Sequence, residues 1–205
     1  MHASSQQIVA IAAGASFAAG LNVYATVATL GLLGRAGVVQ LPPALHLLQG
    51  WPVIAVAGAL FVIEFFADKI PAFDLIWNAL HTFVRVPIAA LLTYGATAQL
   101  SPQTQIAAAV AGGLIALAAH GGKMAARAAV TPSPEPFSNM ALSLGEDTIA
   151  IGLTWFATRH PYIAAAMVGL ALVVIVLLMR WVLRAMKRLF SGARREIERM
   201  EGSAP

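Results

Sequence analysis

The sequence predicts an all-α, polytopic membrane protein, a bundle of about six transmembrane helices, and three observations carry that prediction. The chain of 205 residues is 59% hydrophobic and 11% charged, with a mean hydropathy of +0.77, well above that of soluble domains. Its apolar residues fall in long blocks, several of them near the roughly 20 residues that a bilayer-spanning helix needs. Between the blocks stand short proline-rich breakers: Leu41-Pro42-Pro43, Ser101-Pro102, Thr131 to Pro136, and His160-Pro161.

In chain order the blocks are Ile8 to Gly34, Trp51 to Ala67, Val86 to Ala98, Ile106 to Val130, Ala141 to Thr158 and Pro161 to Leu183. The third is too short to span alone. Joined to the amphipathic stretch Pro71 to Arg85 it reaches 28 residues, with a kink expected at Pro87, which removes a backbone donor and crowds the preceding turn. The first seven residues lack a basic region and a small-residue cleavage site, so Ile8 onward reads as a retained helix. With no cysteine in the chain, a disulfide framework and a thiolate metal site are excluded.

The bundle is assigned to residues 1–184 and a basic tail to 185–205. Seven of the 13 Lys and Arg residues stand at or beyond the end of the last block: Arg180, Arg184, Lys187, Arg188, Arg194, Arg195 and Arg199. This places the C-terminus in the cytoplasm, and an even helix count places the N-terminus there too. Lys69, Arg85, Lys123 and Arg127 then lie toward the cytoplasmic side, with Arg35 and Arg159 outside. From Trp181 to Glu201 apolar and charged residues alternate at helical spacing, so the last helix is expected to continue along the membrane surface. The partners implied are the lipid bilayer and, at the tail, anionic headgroups. The pI near 10 needs no nucleic acid to explain it. A homo-oligomer is compatible with such a bundle.

Against this apolar background the polar residues stand out by their periodicity. Asp74, Asn78, His81 and Arg85 recur at intervals of four, three and four, one stripe down a helix, and His120, Lys123 and Arg127 form another. Glu64 and Asp68 are one turn apart at the end of the second block. Asn22, Thr26 and Thr29 share a face of the first, and Asn139, Ser143, Glu146 and Asp147 open the fifth. A charge at the bilayer centre costs about 2.5–3.5 kcal/mol on insertion scales. These faces are therefore expected to meet in one shared polar pocket in the cytoplasmic half of the membrane.

For a single pair, such as Glu146 with Lys123, mutual neutralisation that locks helices together is explanation enough. For the whole set it is the poorer explanation, because small residues lock helices at lower cost. His2, His46 and His160 lie near helix ends and read as interfacial. Gly112-Gly113 and Gly121-Gly122 weaken the fourth helix, either for close packing or to break it and expose amides beside His120 and Lys123. Glu135, with Phe137-Ser138-Asn139, could fold back over the pocket. Ala18 to Ala28 aligns without gaps with Ala118 to Ala128, which allows a three-plus-three repeat of the kind that many transporters contain.

Several strings are similar to a known family: Gly20-Leu21-Asn22-Val23-Tyr24, Glu64 with Ala67-Asp68-Lys69-Ile70-Pro71 and Asp74, His81-Thr82 with Arg85, Ser133-Pro134-Glu135-Pro136 with Ser138-Asn139, and Glu146-Asp147. Over about Ala13 to Pro161 the chain resembles the bacterial membrane family known as domain of unknown function 4126. The resemblance implies a location in the bacterial cytoplasmic (inner) membrane and supplies no reaction. Glu64 to Lys69 is superficially similar to the Glu-x-Gly-Asp-Lys/Arg signature of cation–proton exchangers, but Asp follows Glu by four residues here and the glycine is missing.

The candidate substrate- or ion-binding set is thus Asn22, Glu64, Asp68, Lys69, Asp74, Asn78, His81, Arg85, His120, Lys123, Arg127, Glu135, Asn139, Glu146 and Asp147. A secondary transporter ranks first: the acids would hold a cation or carry protons, with His81 and His120 able to titrate near neutral pH. In a variant, Arg85, Lys123 and Arg127 grip a small anionic or phosphate-bearing substrate. A structural or assembly protein with internally paired charges ranks second. A membrane enzyme acting on a phospholipid-like substrate ranks third, since no catalytic nucleophile signature or phosphate-binding glycine loop is present. No cofactor is expected. The carboxylates would suit a hard cation, and whether a metal binds is left open.

Overall fold

The computed structural model describes the backbone of residues 4–130 and 136–202, and the side chains within those ranges other than 71–75, 128–130, 136, 139 and 185–202. Its elements are α1 (Ser5–Leu21), α2 (Val23–Arg35), a short 3-10 helix (Pro43–Gln49), α3 (Trp51–Ala67), α4 (Pro71–Ala96), α5 (Pro102–Val130), α6 (Pro136–Arg159) and α7 (Pro161–Gly202). Among the described residues there is no strand, so the all-α expectation holds.

The prolines read from the sequence as breakers are mostly helix starts. Pro71, Pro102, Pro136 and Pro161 are each the first residue of a helix, where the missing N–H has no intrahelical partner to lose and the fixed φ suits the first turn. α1 opens with a capping box: the Ser4 hydroxyl accepts from Gln7 N at 3.3 Å, and the Gln7 side chain accepts from Ser4 N at 2.8 Å. The joined segment from Pro71 does form one helix, α4, with Pro87 inside it. Pro42 and Pro43 lead into the 3-10 helix, which meets α3 at 64°.

One expected element is corrected. Ile8 to Gly34 is not a single helix but two, divided at Asn22, whose φ of −149° and ψ of 104° are those of extended chain. Conversely α5 passes unbroken through Gly112-Gly113 and Gly121-Gly122. The segments aligned as a repeat therefore differ where it matters, one broken at Asn22 and the other continuous at Gly122.

Among the described residues three stretches are long and apolar enough to cross a bilayer by themselves, Ile76–Ala96, Pro102–Arg127 and Pro161–Arg184, and the bent 3-10 helix with α3 makes a fourth. α6, 24 residues long, carries Glu146 and Asp147, and the first block is divided between α1 and α2. Six spans are compatible with this arrangement. α7 has 42 residues, roughly 63 Å of helix at 1.5 Å per residue. That is about twice the hydrocarbon thickness, so its basic second half extends beyond the apolar layer.

Polarity is distributed inside out. The largest fully buried side chains include Arg85, Arg127, Glu64, Asn22 and Asn78, while Phe83 is 81% exposed and Leu91 and Leu170 are each 67% exposed. Such a surface suits a hydrocarbon solvent, which penalises exposed charge and accepts exposed leucine. The chain is a membrane protein on this evidence.

α1 runs through the middle, packed against α4, α5, α6 and α7. Small residues permit the close approach: Ala18, Ala19, Ala116, Ala119, Ala150 and Ala164 are fully buried. The tightest point that bears on the polar cluster is Gly20, where an added Cβ would stand 2.5 Å from the Ala116 carbonyl oxygen and 2.8 Å from the Ala119 Cβ. Gly122 serves a similar purpose against Ile175 of α7, at 3.0 Å.

These contacts predict that Gly20→Val forces α1 and α5 apart. A thermal melt of the purified protein in detergent, followed by circular dichroism, should show a clear fall in midpoint. Gly121→Ala should melt unchanged or higher, by up to about 1 kcal/mol of helix propensity, since a Cβ there meets nothing within 4 Å.

Candidate functional site

Most of the described polar side chains in the predicted stripes turn inward, and the stripes meet. Lys123 of α5 is the hub: its ammonium lies 2.9 Å from Asp68 Oδ2, 3.2 Å from Glu146 Oε2 and 3.7 Å from Glu64 Oε1. One turn on, Arg127 bonds to Glu146 Oε2 at 2.5 Å and to Asp68 Oδ2 at 2.9 Å through Nη2, and donates to the Asp68 carbonyl at 3.1 Å through Nη1. That last bond also satisfies a carbonyl at the C-terminal end of α3, where a positive group is favoured. Glu64 and Asp68, one turn apart, thus face two bases spaced at one turn on α5.

Arg85 of α4 completes the set. Its Nη2 is paired with Glu64 Oε1, and its Nη1 donates to His120 Nδ1 at 2.7 Å. An arginine only donates, so Nδ1 of His120 must be the bare nitrogen. The proton then sits on Nε2, which is 3.0 Å from the Asn78 carbonyl and 2.8 Å from the Thr82 hydroxyl. His120 is therefore a neutral imidazole of defined tautomer. His81 differs: Nδ1 donates to the Trp77 carbonyl at 2.7 Å, and Nε2 is 3.0 Å from the Tyr24 hydroxyl.

The break at Asn22 lies inside this cluster. Lys123 Nζ donates to the Leu21 carbonyl at 3.3 Å, at the C-terminal end of α1, where orphan carbonyls carry partial negative charge. On the other side the Asn22 side chain caps α2, accepting from Ala25 N at 2.9 Å through Oδ1, and its Nδ2 donates to Asp147 Oδ1 at 2.8 Å. A base thus stands at the negative end of one half-helix and an acid near the positive end of the other. Thr26 adds a bond to the Asn22 carbonyl at 2.9 Å, so the extended residue has its polar groups engaged.

Asp147 is the unequal member. It is 5% exposed, its Oδ2 has no hydrogen-bond partner among the described residues, and no base stands within 4 Å of it there. Among the described residues the hydroxyl of Ser143, one turn before it on α6 and fully buried, and the carboxylate oxygen Oε2 of Glu64 also have no hydrogen-bond partner. Among the described residues Glu64, Asp68 and Glu146 are paired with Arg85, Lys123 and Arg127, and Asp147 is the acid of the cluster with no base within 4 Å. Among the described residues, no group of His, Asp and Glu has the geometry to hold a metal ion.

Of the sequence-predicted residues, Asn22, Glu64, Asp68, Asn78, His81, Arg85, His120, Lys123, Arg127, Glu146 and Asp147 are brought together. Lys69 is not: its ammonium donates to the Phe65 carbonyl at 2.8 Å and lies over the Phe65 ring. Glu135 and the side chains of Asp74 and Asn139 lie outside the described residues, as do the proposed folding back of the loop before α6 and the side chains of the tail. Tyr24, Thr82 and Ser143 belong to the cluster although they were not among the predicted ligands. Each was visible as a polar residue within a helical turn of a predicted one. A separate buried pair, Ser16 and Thr93 at 2.7 Å, joins α1 to α4 over Gly112.

No curated protein and no solved structure matches the chain. The model of one protein family, described as a domain of unknown function (DUF4126), matches residues 9–181, which takes in the whole cluster and the helices that carry it. The chain belongs to that family.

Proposed function

We propose that the protein is a secondary transporter of a cation, coupled to protons, in the bacterial cytoplasmic membrane with both termini in the cytoplasm. The observation that carries this reading is Asp147: a buried carboxyl group beside a helix break, with one oxygen on Asn22 and the other unpartnered among the described residues. An ionised carboxylate without a base is costly inside a membrane, so the group is best accommodated by taking up a proton or a cation. Exchange between the two is the elementary step of proton-coupled transport. Discontinuous helices near the bilayer midplane are a recurrent way to build such sites.

The variant with an anionic or phosphate-bearing substrate is less well supported, because Arg85, Lys123 and Arg127 already hold carboxylates. The basic second half of α7 supports the cytoplasmic C-terminus. For the transporter reading, we expect an imposed sodium or potassium gradient across proteoliposomes with a trapped pH dye to drive proton counterflow. Asp147→Asn, which keeps the shape and the Asn22 contact, should slow it at least about tenfold, or 1.4 kcal/mol in barrier. No proton movement with wild-type protein, or equal rates for the variant, would sink the reading.

The density of internal ion pairs favours a second reading, in which the cluster only locks the helices. Arg127→Ala should cost about 3–5 kcal/mol of stability because it leaves buried Glu146 and Asp68 sharing Lys123 as their remaining base among the described residues. The loss should be nearly the same at roughly 0.1 M and 1 M salt, since screening does not reach buried pairs. If Arg127→Gln with Glu146→Gln restores the melting midpoint and leaves all flux unchanged, the locking function is sufficient.

A further inference from the structure

The cluster is not sealed on the side of α6 and α7. Two cavities open there, one of about 570 Å³ beside Gly152, Trp155 and Met167, and one of about 410 Å³ beside Leu142, Glu146 and Trp181. Both have Phe17 and Leu21 of α1 as part of their lining, so they are successive stretches of one groove. Along α7 it runs from Met167 to Val182, roughly 22 Å at 1.5 Å per residue.

Its lining is apolar throughout except for Lys123 and Glu146 in the second cavity. Those two are not equally accessible. The Lys123 side chain is 0% exposed and held by three carboxylates, whereas the Glu146 side chain is 10% exposed. The Glu146 oxygens also differ. Oε2 takes the contacts at 2.5 Å and 3.2 Å from Arg127 and at 3.2 Å from Lys123, while Oε1 has a single long contact at 3.4 Å. What the groove offers a ligand is therefore a long apolar channel and one carboxylate oxygen with spare accepting capacity.

We propose that this groove binds a long-chain organic cation, its tail along α6 and α7 and its charged head at Glu146, with Trp181 available to its positive charge. An anionic amphiphile of the same length fits the channel and fails at the head, where it meets the carboxylate. The proposal rests on the reading of the cluster as a cation-loading site and names its substrate class. The groove would supply the affinity and the cluster the discrimination by charge.

Binding of dodecyltrimethylammonium and of dodecyl sulfate to the protein in nanodiscs of zwitterionic lipid, with empty nanodiscs subtracted, tests it. The ammonium should bind at least about tenfold tighter, which is 1.4 kcal/mol. Gly152→Leu, whose side chain enters the groove where an added Cβ meets no atom within 4 Å, should weaken ammonium binding by a similar factor. Glu146→Gln should abolish the preference for the cation; should that variant not fold, the head-group comparison on wild type and Gly152→Leu decide alone. Equal binding of the two amphiphiles, or binding indifferent to Gly152→Leu, overturns the proposal. Sodium- or potassium-driven proton flux that persists in that event leaves the transport reading standing, and selective ammonium binding without any flux removes transport while keeping the groove.

Discussion

The arrangement of this protein follows from the cost of leaving an ionised group in hydrocarbon. With seven charged side chains of the described residues in one interior cluster, each helix that carries one must present it to the others. The rotation of α3, α4, α5 and α6 about their axes is thereby fixed. A helix turned by 100°, one residue, would move Arg85 or Lys123 to lipid. The apolar contacts between the helices cannot impose such precision, since alanine and leucine are as comfortable against a lipid tail as against one another. Charge pairing supplies the specificity, and small residues supply the close approach that brings short side chains such as Asp68 within reach.

The division of the first helix is the same constraint acting on the backbone. Breaking a helix inside a membrane leaves carbonyls and amides unpaired, which hydrocarbon does not tolerate unless protein groups replace the lost partners. Here Lys123 takes the Leu21 carbonyl, and Asn22 serves as cap to Ala25 and as donor to Asp147. The break and the cluster therefore support one another. Lys123 gains a fourth polar contact from the exposed carbonyl, and the carbonyl gains the only kind of partner that can also neutralise the end of a helix dipole.

This mutual dependence explains which features were legible in the sequence. The inward stripes were readable because helical spacing is a local property, and Asn78, His81 and Arg85 must share a face whatever surrounds them. Their convergence followed from the solvent. The break was not read, because Asn22 was the one local cue in a largely apolar block, and the partners that complete its support, Lys123 and Asp147, come from α5 and α6, about a hundred residues away. Of the two readings of the α5 glycines, packing is the one the structure shows: Gly112 admits the Ser16 and Thr93 hydroxyls and Gly122 admits Ile175. Lys69 follows the end of α3, where helical spacing no longer predicts direction, and its ammonium turns back onto Phe65.

The same accounting narrows which group of the cluster can change its charge in use. Lys123 and Arg127 are each held by two or more carboxylates, and releasing a proton from either would strand those acids. His120 cannot take a second proton without losing the bond from Arg85, because a protonated Nδ1 would face a guanidinium that has nothing to accept with. Among the described residues of the cluster, Asp147 is the acid that has no base within 4 Å, so a positive partner there displaces no existing ion pair. On the proposed transport reading, the carboxyl group beside the helix break, which has no base within 4 Å among the described residues, is where a proton or a cation is taken up.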